Sequence, residues 1–221
     1  MMLDLNVLKT SGDHTMTIMG AVGSLEAILT VPETVNAHYV AILGHPHSLQ
    51  GGTMHNKVIT TLARLFKDLG IVSLRFNFRG VGASDGIYDA GVGESEDMLC
   101  LTEQCLKILP KAAVCFAGFS FGSYVAYRAA AQHAHRLLIT VAPPVHHYDY
   151  TQWQLDSKKW VVIQGAQDDI SPLSLVQDFS EIHGLDLIHF AAAGHFFHGQ
   201  LIALRNELMA YFSQKNIFLE L

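Results

Sequence analysis

The sequence predicts an α/β fold in which a doubly wound, mostly parallel sheet carries helices on both faces. Apolar, strand-like segments alternate with helical patterns from residue 39 onward, which is typical of this class. Segments such as 39–43 and 112–117 are apolar throughout, as expected of strands that are covered on both faces. The composition agrees, since 50% of the residues are hydrophobic and only 15% are charged.

The elements follow one another without a composition break or an internal repeat, so we expect a single domain over residues 1–221. Residues 1–13 are expected to form a loosely attached extension, followed by a hairpin. The predicted strands are 16–19, 25–31, 39–43, 71–76, 112–117, 137–141, 160–163 and 187–190. The predicted helices are 55–69, 93–109, a segment that begins after Ser120, 172–182 with Ser171 as its N-cap, and 198–212.

Charge and cysteine content exclude several classes of protein. The net charge is −6 and no run of Lys and Arg is present, which argues against nucleic acid as a partner. The three cysteines lie in apolar surroundings and are expected to be reduced. The first residues do not resemble a secretory signal, and no apolar stretch reaches the roughly 18 residues of a membrane span. We therefore expect a cytoplasmic protein that does not act at a membrane.

The segment around Ser120 has the form of a strand, a tight turn and a helix. An apolar run ends in Gly118-Phe119-Ser120-Phe121-Gly122, and an alanine-rich helical pattern follows. Although this spacing also arises by coincidence among small residues, the flanking strand and helix are what a nucleophile turn requires. Glycines two residues to either side leave room for the strained backbone of the serine. We therefore predict that Ser120 is a nucleophile, with the Phe121 N–H directed toward an oxyanion.

A serine nucleophile needs a base to take its proton and an acid to orient that base. Both should follow later strands, because the carboxyl ends of parallel strands meet at one edge of the sheet. The loop after 160–163 offers Asp168 and Asp169, and the position of Asp168 three residues after Gly165 favours it as the acid.

The loop after 187–190 supplies the base. His195 is the first histidine beyond the strand, whereas His198 lies at the start of the last predicted helix and is the less favoured alternative. His189 falls inside the strand and is expected to be packed.

Together these residues resemble the α/β-hydrolase superfamily, and most closely its small bacterial esterase-like members without a lid. The order Ser120, Asp168, His195 along the chain is that of α/β-hydrolases. The resemblance spans about residues 15–213 and rests on these pieces: Gly44-His45-Pro46-His47, Gly51-Gly52-Thr53-Met54, Arg75-Phe76-Asn77-Phe78-Arg79-Gly80-Val81-Gly82, Gly118-Phe119-Ser120-Phe121-Gly122, Asp168 and Gly194-His195-Phe196-Phe197. It implies that Ser120 is the nucleophile, Asp168 the acid and His195 the base. The chain departs from the group at Ser48, where proline is common.

The glycine-rich loop after 39–43 is expected to supply a second oxyanion donor. Pro46 has no N–H, so the donor is the amide of His47 or Ser48, paired with that of Phe121. We expect Ser48, Tyr148 and Phe196 to contact the substrate, with core packing as the alternative for Phe196.

The thirteen histidines raise the question of a metal site. His45 with His47, and His146 with His147, are close in sequence, but the pairs lie on separate loops and no further ligand pattern accompanies them. We therefore expect no metal and no cofactor.

These residues predict a serine hydrolase that cleaves an ester, thioester or similar acyl bond of a small molecule through an acyl-enzyme. A peptidase or dienelactone-type hydrolase on the same residues, and a non-catalytic binding protein on the same fold, remain alternatives. The segment 142–158 is too short for a helical cap domain, so we expect an open site. The sequence favours no particular oligomeric state.

Overall fold

An eight-stranded sheet forms the centre of the computed structural model, which describes residues 3–218. In chain order its strands are β1 (Gly12–Met19), β2 (Ser24–Val31), β3 (Tyr39–Gly44), β4 (Val72–Phe76), β5 (Ala113–Phe119), β6 (Leu137–Val141), β7 (Trp160–Gly165) and β8 (Asp186–Phe190). Across the sheet they lie in the order β1-β2-β4-β3-β5-β6-β7-β8. β1 and β2 form an antiparallel hairpin, β2 is antiparallel to β4, and the other neighbours are parallel. The predicted mostly parallel sheet is thus confirmed.

Five α-helices cover the two faces of the sheet: α1 (Lys57–Asp68), α2 (Val92–Ile108), α3 (Phe121–Gln132), α4 (Leu173–His183) and α5 (Leu201–Gln214). α2, α3 and α4 bury side chains such as Leu101, Val125 and Val176 in one apolar core. α1 and α5 bury side chains such as Leu62 and Leu204 in the other. Because successive strand residues point to opposite faces, the central strands contribute to both cores. The helices on both faces confirm the doubly wound architecture.

The sheet begins earlier in the chain than the sequence indicates. β1 starts at Gly12, so residues 12 and 13 belong to the sheet and not to an extension. The side chain of Asp13 explains the added length, because it accepts hydrogen bonds from Arg75 and from Thr30, each at 2.7 Å. A short 3-10 helix, Leu5–Lys9, precedes the strand.

Two local predictions are wrong. α4 begins at Leu173 with Pro172 as its N-cap residue, and Ser171 does not cap it. The Ser171 N–H instead donates to Asp168 Oδ1 at 2.7 Å, which ties the start of the helix to the preceding loop. His189 is exposed and not packed, because β8 is the edge strand of the sheet.

The parallel register brings the carboxyl ends of several strands to one edge of the sheet. Gly44 at the end of β3 pairs with Gly118 near the end of β5, and Gly165 at the end of β7 pairs with Phe190 at the end of β8. The loops that carry Ser120, Asp168 and His195 leave the sheet at this edge.

The connection from β6 to β7 contains no α-helix. Residues 142–156 form turns and irregular segments, followed by the 3-10 turn Ser157–Lys159. The site at the carboxyl edge therefore has no helical cap from this connection. Over residues 3–218, the structure has no helix with the length and apolar character needed to cross a membrane.

Candidate active site

Ser120 lies on a strained turn between β5 and α3. Its backbone has φ 53° and ψ −122°, a region in which a residue other than glycine costs on the order of 1–3 kcal/mol. The Ser120 N–H donates to the Val141 carbonyl at 2.8 Å, and the Ser120 carbonyl accepts from the Ser123 amide at 2.9 Å. A side chain on Gly118 would overlap the Gly122 carbonyl, and one on Gly122 would overlap the Gly44 carbonyl. The glycines therefore make the turn possible.

His195 lies between Ser120 and Asp168 in one hydrogen-bonded line. Its Nε2 is 3.0 Å from Ser120 Oγ, and its Nδ1 is 2.8 Å from Asp168 Oδ2. All three residues are buried. With a proton on Nδ1, the ring donates to the carboxylate and offers the Nε2 lone pair to the serine hydroxyl. This is the arrangement in which a serine proton can be transferred to an imidazole.

The Asp168 carboxylate receives hydrogen bonds at both oxygens. Oδ2 accepts from Gln164 Nε2 at 3.0 Å in addition to His195, while Oδ1 accepts from the amides of Ile170 at 2.9 Å and Ser171 at 2.7 Å. Burial acts to raise the pKa of Asp168, but the hydrogen bonds from His195, Ser171 and Gln164 outweigh it and lower the pKa below the ordinary value. Asp168 is therefore held as a carboxylate.

The alternative acid and base lie outside this line. Asp169 and His198 are both exposed, whereas Asp168 and His195 are buried and face each other. The geometry therefore brings together the pair that the sequence favoured.

Backbone amides for an oxyanion are available beside the serine. Phe121 is the first residue of α3, and the first N–H groups of a helix have no acceptor within it. His47 caps a short 3-10 helix, Ser48–Gln50, so the amides of His47 and Ser48 also lack acceptors within that helix. Gly122 packs against the carbonyls of Gly44 and His45, which brings the start of α3 close to this loop.

The His47 ring is held in one orientation. Its Nδ1 accepts from the Leu49 amide at 3.2 Å, and its Nε2 is 3.3 Å from the Tyr88 hydroxyl. Burial lowers the pKa of His47 despite the opposing charge of Glu94, which favours the neutral ring. Tyr88 was not identified from the sequence, because it lies about 40 residues from the loop that it supports.

A cavity of about 290 Å³ opens next to Ser120 and His195. Phe196 lines it and is 44% exposed, so its ring is available to a ligand. The other lining residues are Pro46, His47, Gln50, Gly51, Gly52, Thr53, His55, Asn56, Lys57 and Ile170. The wall formed by residues 50–53 and 55–57 was not predicted to line the site, although Gly51, Gly52 and Thr53 belong to a piece that carries the family resemblance.

Ser48 and Tyr148 are not among the described residues that line this cavity. Ser48 is half-buried, and its hydroxyl has no hydrogen-bond partner among residues 3–218. Tyr148 stacks on Tyr124 with ring centroids 4.7 Å apart and contacts the Phe121 ring at 5.5 Å. Both residues therefore border the site through His47 and Phe121.

The histidines near the site have structural partners. His45 is fully buried, donates from Nδ1 to the Pro46 carbonyl at 2.7 Å and accepts the Phe78 amide at Nε2 at 2.9 Å. Burial lowers the pKa of His45 to about 4, and the hydrogen bond to Pro46 only partly opposes this effect. Among residues 3–218, no group of three or more His, Cys, Asp or Glu side chains is arranged to hold a metal ion.

Other polar residues of the motifs support the fold. Arg79 Nε donates to the buried carboxylate of Asp97 at 2.7 Å, and Asp97 also accepts the Ala21 amide at 2.8 Å. Asp85 accepts the Ser24 amide at 2.7 Å. Cys105 and Cys115 are buried, which raises the pKa of each thiol to about 12.

Comparisons with known proteins agree with this fold. No protein-family model matches the chain. An uncharacterized protein of Rickettsia prowazekii is 32% identical over 164 residues, which are 72% of this chain and 68% of the relative. The crystal structure of an α/β serine hydrolase without a lid from Xanthomonas campestris is 38% identical, with a TM-score of 0.87 over 93% of this chain and 95% of that chain. An α/β serine hydrolase homologue from Coxiella burnetii is also 38% identical, with a TM-score of 0.86 over 91% of this chain and 98% of that one.

The fold of the chain and its similarity to these structures together identify it as a hydrolase with an α/β fold. The chain belongs to the α/β serine hydrolases, in the group without a lid.

Proposed function

We propose that the protein is a serine hydrolase that cleaves ester or thioester bonds of small acyl compounds by way of an acyl-enzyme. The observation that carries this proposal is the unbroken line from Ser120 Oγ through His195 to Asp168, with contacts of 3.0 and 2.8 Å. This line offers a hydroxyl as nucleophile, an imidazole as base and a carboxylate as acid, which are the groups that acyl transfer needs.

In the first half of the reaction, Ser120 Oγ attacks the acyl carbonyl while its proton moves to His195 Nε2. Asp168 stabilises the imidazolium through the hydrogen bond to Nδ1. The negative charge on the tetrahedral oxygen is held by the amides of Phe121 and His47, with the Ser48 amide as the alternative to that of His47. His195 then donates its proton to the leaving alcohol or thiol, and the acyl group stays on Ser120.

In the second half, water enters the position of the leaving group. His195 accepts a proton from that water as its oxygen attacks the acyl carbonyl. His195 then returns the proton to Ser120 Oγ as the bond between Ser120 and the acyl group breaks, which releases the carboxylic acid and restores the free enzyme. Every proton is moved by His195, so the cycle uses no cofactor. Phe196 is the proposed contact for the substrate because it is exposed in the cavity beside the reacting atoms.

The test is labelling by a fluorophosphonate, which reacts with activated serines. We expect the wild-type protein to be labelled and to hydrolyse p-nitrophenyl butyrate, and Ser120→Ala to lose both. His195→Ala should lose both as well, because Ser120 is then without a base. A folded wild-type protein that is neither labelled nor active would instead favour a binding protein on the hydrolase fold.

A further inference from the structure

Three cations form a stripe along the outer side of α1. Lys57, Arg64 and Lys67 are seven and three residues apart, a spacing that places them along one side of a helix. Lys57 and Arg64 are exposed, and Lys67 is half-buried. We call these three residues the basic stripe. It is not visible as a run of basic residues in the sequence, because apolar residues of α1 separate its members.

The basic stripe forms no ion pair among the described residues, although the Asp13 carboxylate lies near Lys67. Among residues 3–218, no carboxylate lies within 4.0 Å of a charged nitrogen of Lys57, Arg64 or Lys67. The only acidic residue of α1 is Asp68, which pairs with Arg205 of α5. Lys67 acts on Asp13 only at longer range, and that carboxylate is already bound by Arg75. The stripe is therefore a local excess of positive charge on a chain whose net charge is −6.

Lys57 lies at the amino end of α1, where a helix favours a negative charge. It is the first residue of α1, and the first turn of this helix has no acidic residue. The positive end of the helix dipole lies at the same place, so a cation there is unfavourable. This combination of Lys57 and the helix end creates a positive potential at the wall of the cavity that contains Ser120 and His195.

Three neighbouring depressions lie beside the stripe and share lining residues, and the first of them contains Ser120. Lys57 lines both the cavity at Ser120 and a second depression of about 510 Å³ between α1 and α5. Arg64 lines this second depression and a third one, which also contains Lys67. Leu201 and Ile202 form the apolar side of the second depression. The three depressions therefore follow one another along α1, beginning beside Ser120.

We propose that the natural substrate is an acyl compound whose leaving group carries phosphates, and that this leaving group lies along the basic stripe. The inference rests on the proposed function, since it assigns the alcohol or thiol side of the bond that Ser120 cleaves. Lys67 lies ten positions after Lys57, which corresponds to about 15 Å along the helix. Three cations over that length suit a chain with several negative charges, whereas a single carboxylate would use only one of them.

Two thioesters that share their reacting bond test this proposal. Butyryl-coenzyme A carries phosphates on its leaving group, and butyryl-pantetheine lacks them. We expect wild-type kcat/KM to be at least tenfold higher for butyryl-coenzyme A in 20 mM salt. This preference should shrink in 500 mM salt, because salt screens exposed charges. Equal kcat/KM values for the two thioesters at low salt would overturn the proposal.

In the stripe variant Lys57→Gln/Arg64→Gln/Lys67→Gln, the ratio of kcat/KM for butyryl-coenzyme A to that for butyryl-pantetheine should fall about tenfold. The main cause should be a higher KM for butyryl-coenzyme A. Gln is a good helix former, so α1 should remain folded, which circular dichroism checks. The matched control is Lys107→Gln/Lys111→Gln/Lys158→Gln. It removes the same charge from exposed positions that precede β5 and β7, at the opposite edge of the sheet. The control variant should keep the wild-type ratio of kcat/KM for butyryl-coenzyme A to that for butyryl-pantetheine. An equal drop of this ratio in the stripe variant and the control variant would contradict a specific site.

Two further measurements distinguish failure of the proposed hydrolase function from failure of the stripe proposal. Calorimetric titration of Ser120→Ala with coenzyme A should show binding that the added stripe substitutions abolish, and this readout does not depend on hydrolysis. If p-nitrophenyl butyrate is cleaved by Ser120 but coenzyme A does not bind, the proposed function stands and the stripe proposal fails. Stripe-dependent pelleting with phosphatidylglycerol vesicles, together with equal rates on the two thioesters, would assign the stripe to a lipid surface and also overturn the proposal.

Discussion

Gln164 donates a hydrogen bond to Asp168 Oδ2 at 3.0 Å, and the same carboxylate oxygen accepts the hydrogen bond from His195 Nδ1. Gln164 also donates to the Ser171 carbonyl at 2.6 Å, so one amide group joins the end of β7 to the loop that carries the acid. A side chain that lies within a strand thus contacts the carboxylate that orients His195. The acid is fixed before any substrate arrives.

Asp168→Asn should lower kcat on the order of 10⁴-fold, because an amide at this position favours the tautomer of His195 that cannot accept the serine proton. Asp169→Asn is the matched control. Asp169 is exposed and makes no contact with His195, so its replacement should change kcat less than about threefold. Steady-state hydrolysis of p-nitrophenyl butyrate gives both values, and the opposite ranking would move the acid to Asp169.

Gln164→Met should lower kcat by about 10- to 100-fold, the range expected for loss of one hydrogen bond to a charged group. Met has a similar size and length, and Gln164 Oε1 has no partner among residues 3–218. The acceptors that lose a donor are therefore those of Gln164 Nε2, namely Asp168 Oδ2 and the carbonyls of Gly165 and Ser171. The KM of p-nitrophenyl butyrate should change little. An unchanged kcat in a folded Gln164→Met protein would show that the backbone amides alone hold Asp168.

Ser120→Gly should be about 1 kcal/mol more stable than Ser120→Ala. Alanine keeps the unfavourable φ of 53°, whereas glycine relieves strain of about 1–3 kcal/mol and loses about 0.5–1 kcal/mol through its greater freedom when unfolded. Both variants lack the nucleophile, so the comparison isolates the backbone. Urea unfolding monitored by circular dichroism measures the difference, and a more stable alanine variant would refute stored strain at this turn.

His45 should make the free energy of unfolding depend on pH. Its pKa is about 4 in the folded protein against an ordinary value of 6.5, because burial disfavours the imidazolium. Between pH 4 and pH 6.5 the unfolded chain binds more protons than the folded protein does. The stabilisation contributed by neutral His45 is therefore complete above pH 6.5 and is lost as pH falls toward 4. The loss amounts to roughly 3 kcal/mol in total.

The matched variant is His45→Gln, which keeps an acceptor for the Phe78 amide and does not titrate. From pH 7.5 to pH 5, the wild-type free energy of unfolding should fall about 2 kcal/mol more than that of His45→Gln. The measurement is urea unfolding at both pH values. Parallel losses in the two proteins would show that His45 is charged in the fold or is not buried in solution.

The sequence was sufficient to predict that Ser120, Asp168 and His195 lie close together, because each follows an apolar strand. In a parallel sheet such residues arrive at one edge whatever the details of the loops. The contacts made by Gln164 could not be foreseen in the same way. Its only signal was that it is the single amide side chain in the otherwise apolar strand β7.

Features that depend on packing between distant elements could not be predicted from the sequence. The ion pair of Asp13 with Arg75 extends β1 toward the amino terminus, yet the two residues are 62 positions apart. Ser171 does not cap α4 because its amide donates to Asp168 and its hydroxyl donates to the Ala142 carbonyl, a partner 29 positions away that the sequence does not reveal. The basic stripe appears only when Lys57, Arg64 and Lys67 are placed on one side of α1.

The open cleft should favour short or medium acyl groups over long ones. Residues 142–156 contribute no helix above the site, and the cavity beside Ser120 has a volume of about 290 Å³. Its exposed apolar groups are limited to Phe196 and Ile170, so few methylenes beyond a short chain can leave water. Each buried methylene contributes about 0.8 kcal/mol to binding, and a chain that extends past these residues gains nothing further.

The measurement is kcat/KM for p-nitrophenyl esters from two to sixteen carbons. We expect the values to rise over the first few carbons, reach a maximum at short or medium length and then level off or fall. Phe196→Ala should flatten the initial rise while leaving the acetate value within a few-fold of wild type, because it removes the surface on which the first methylenes pack. A steady rise to sixteen carbons, or a jump in rate above the critical micelle concentration of the ester, would show that a larger apolar surface encloses the acyl chain.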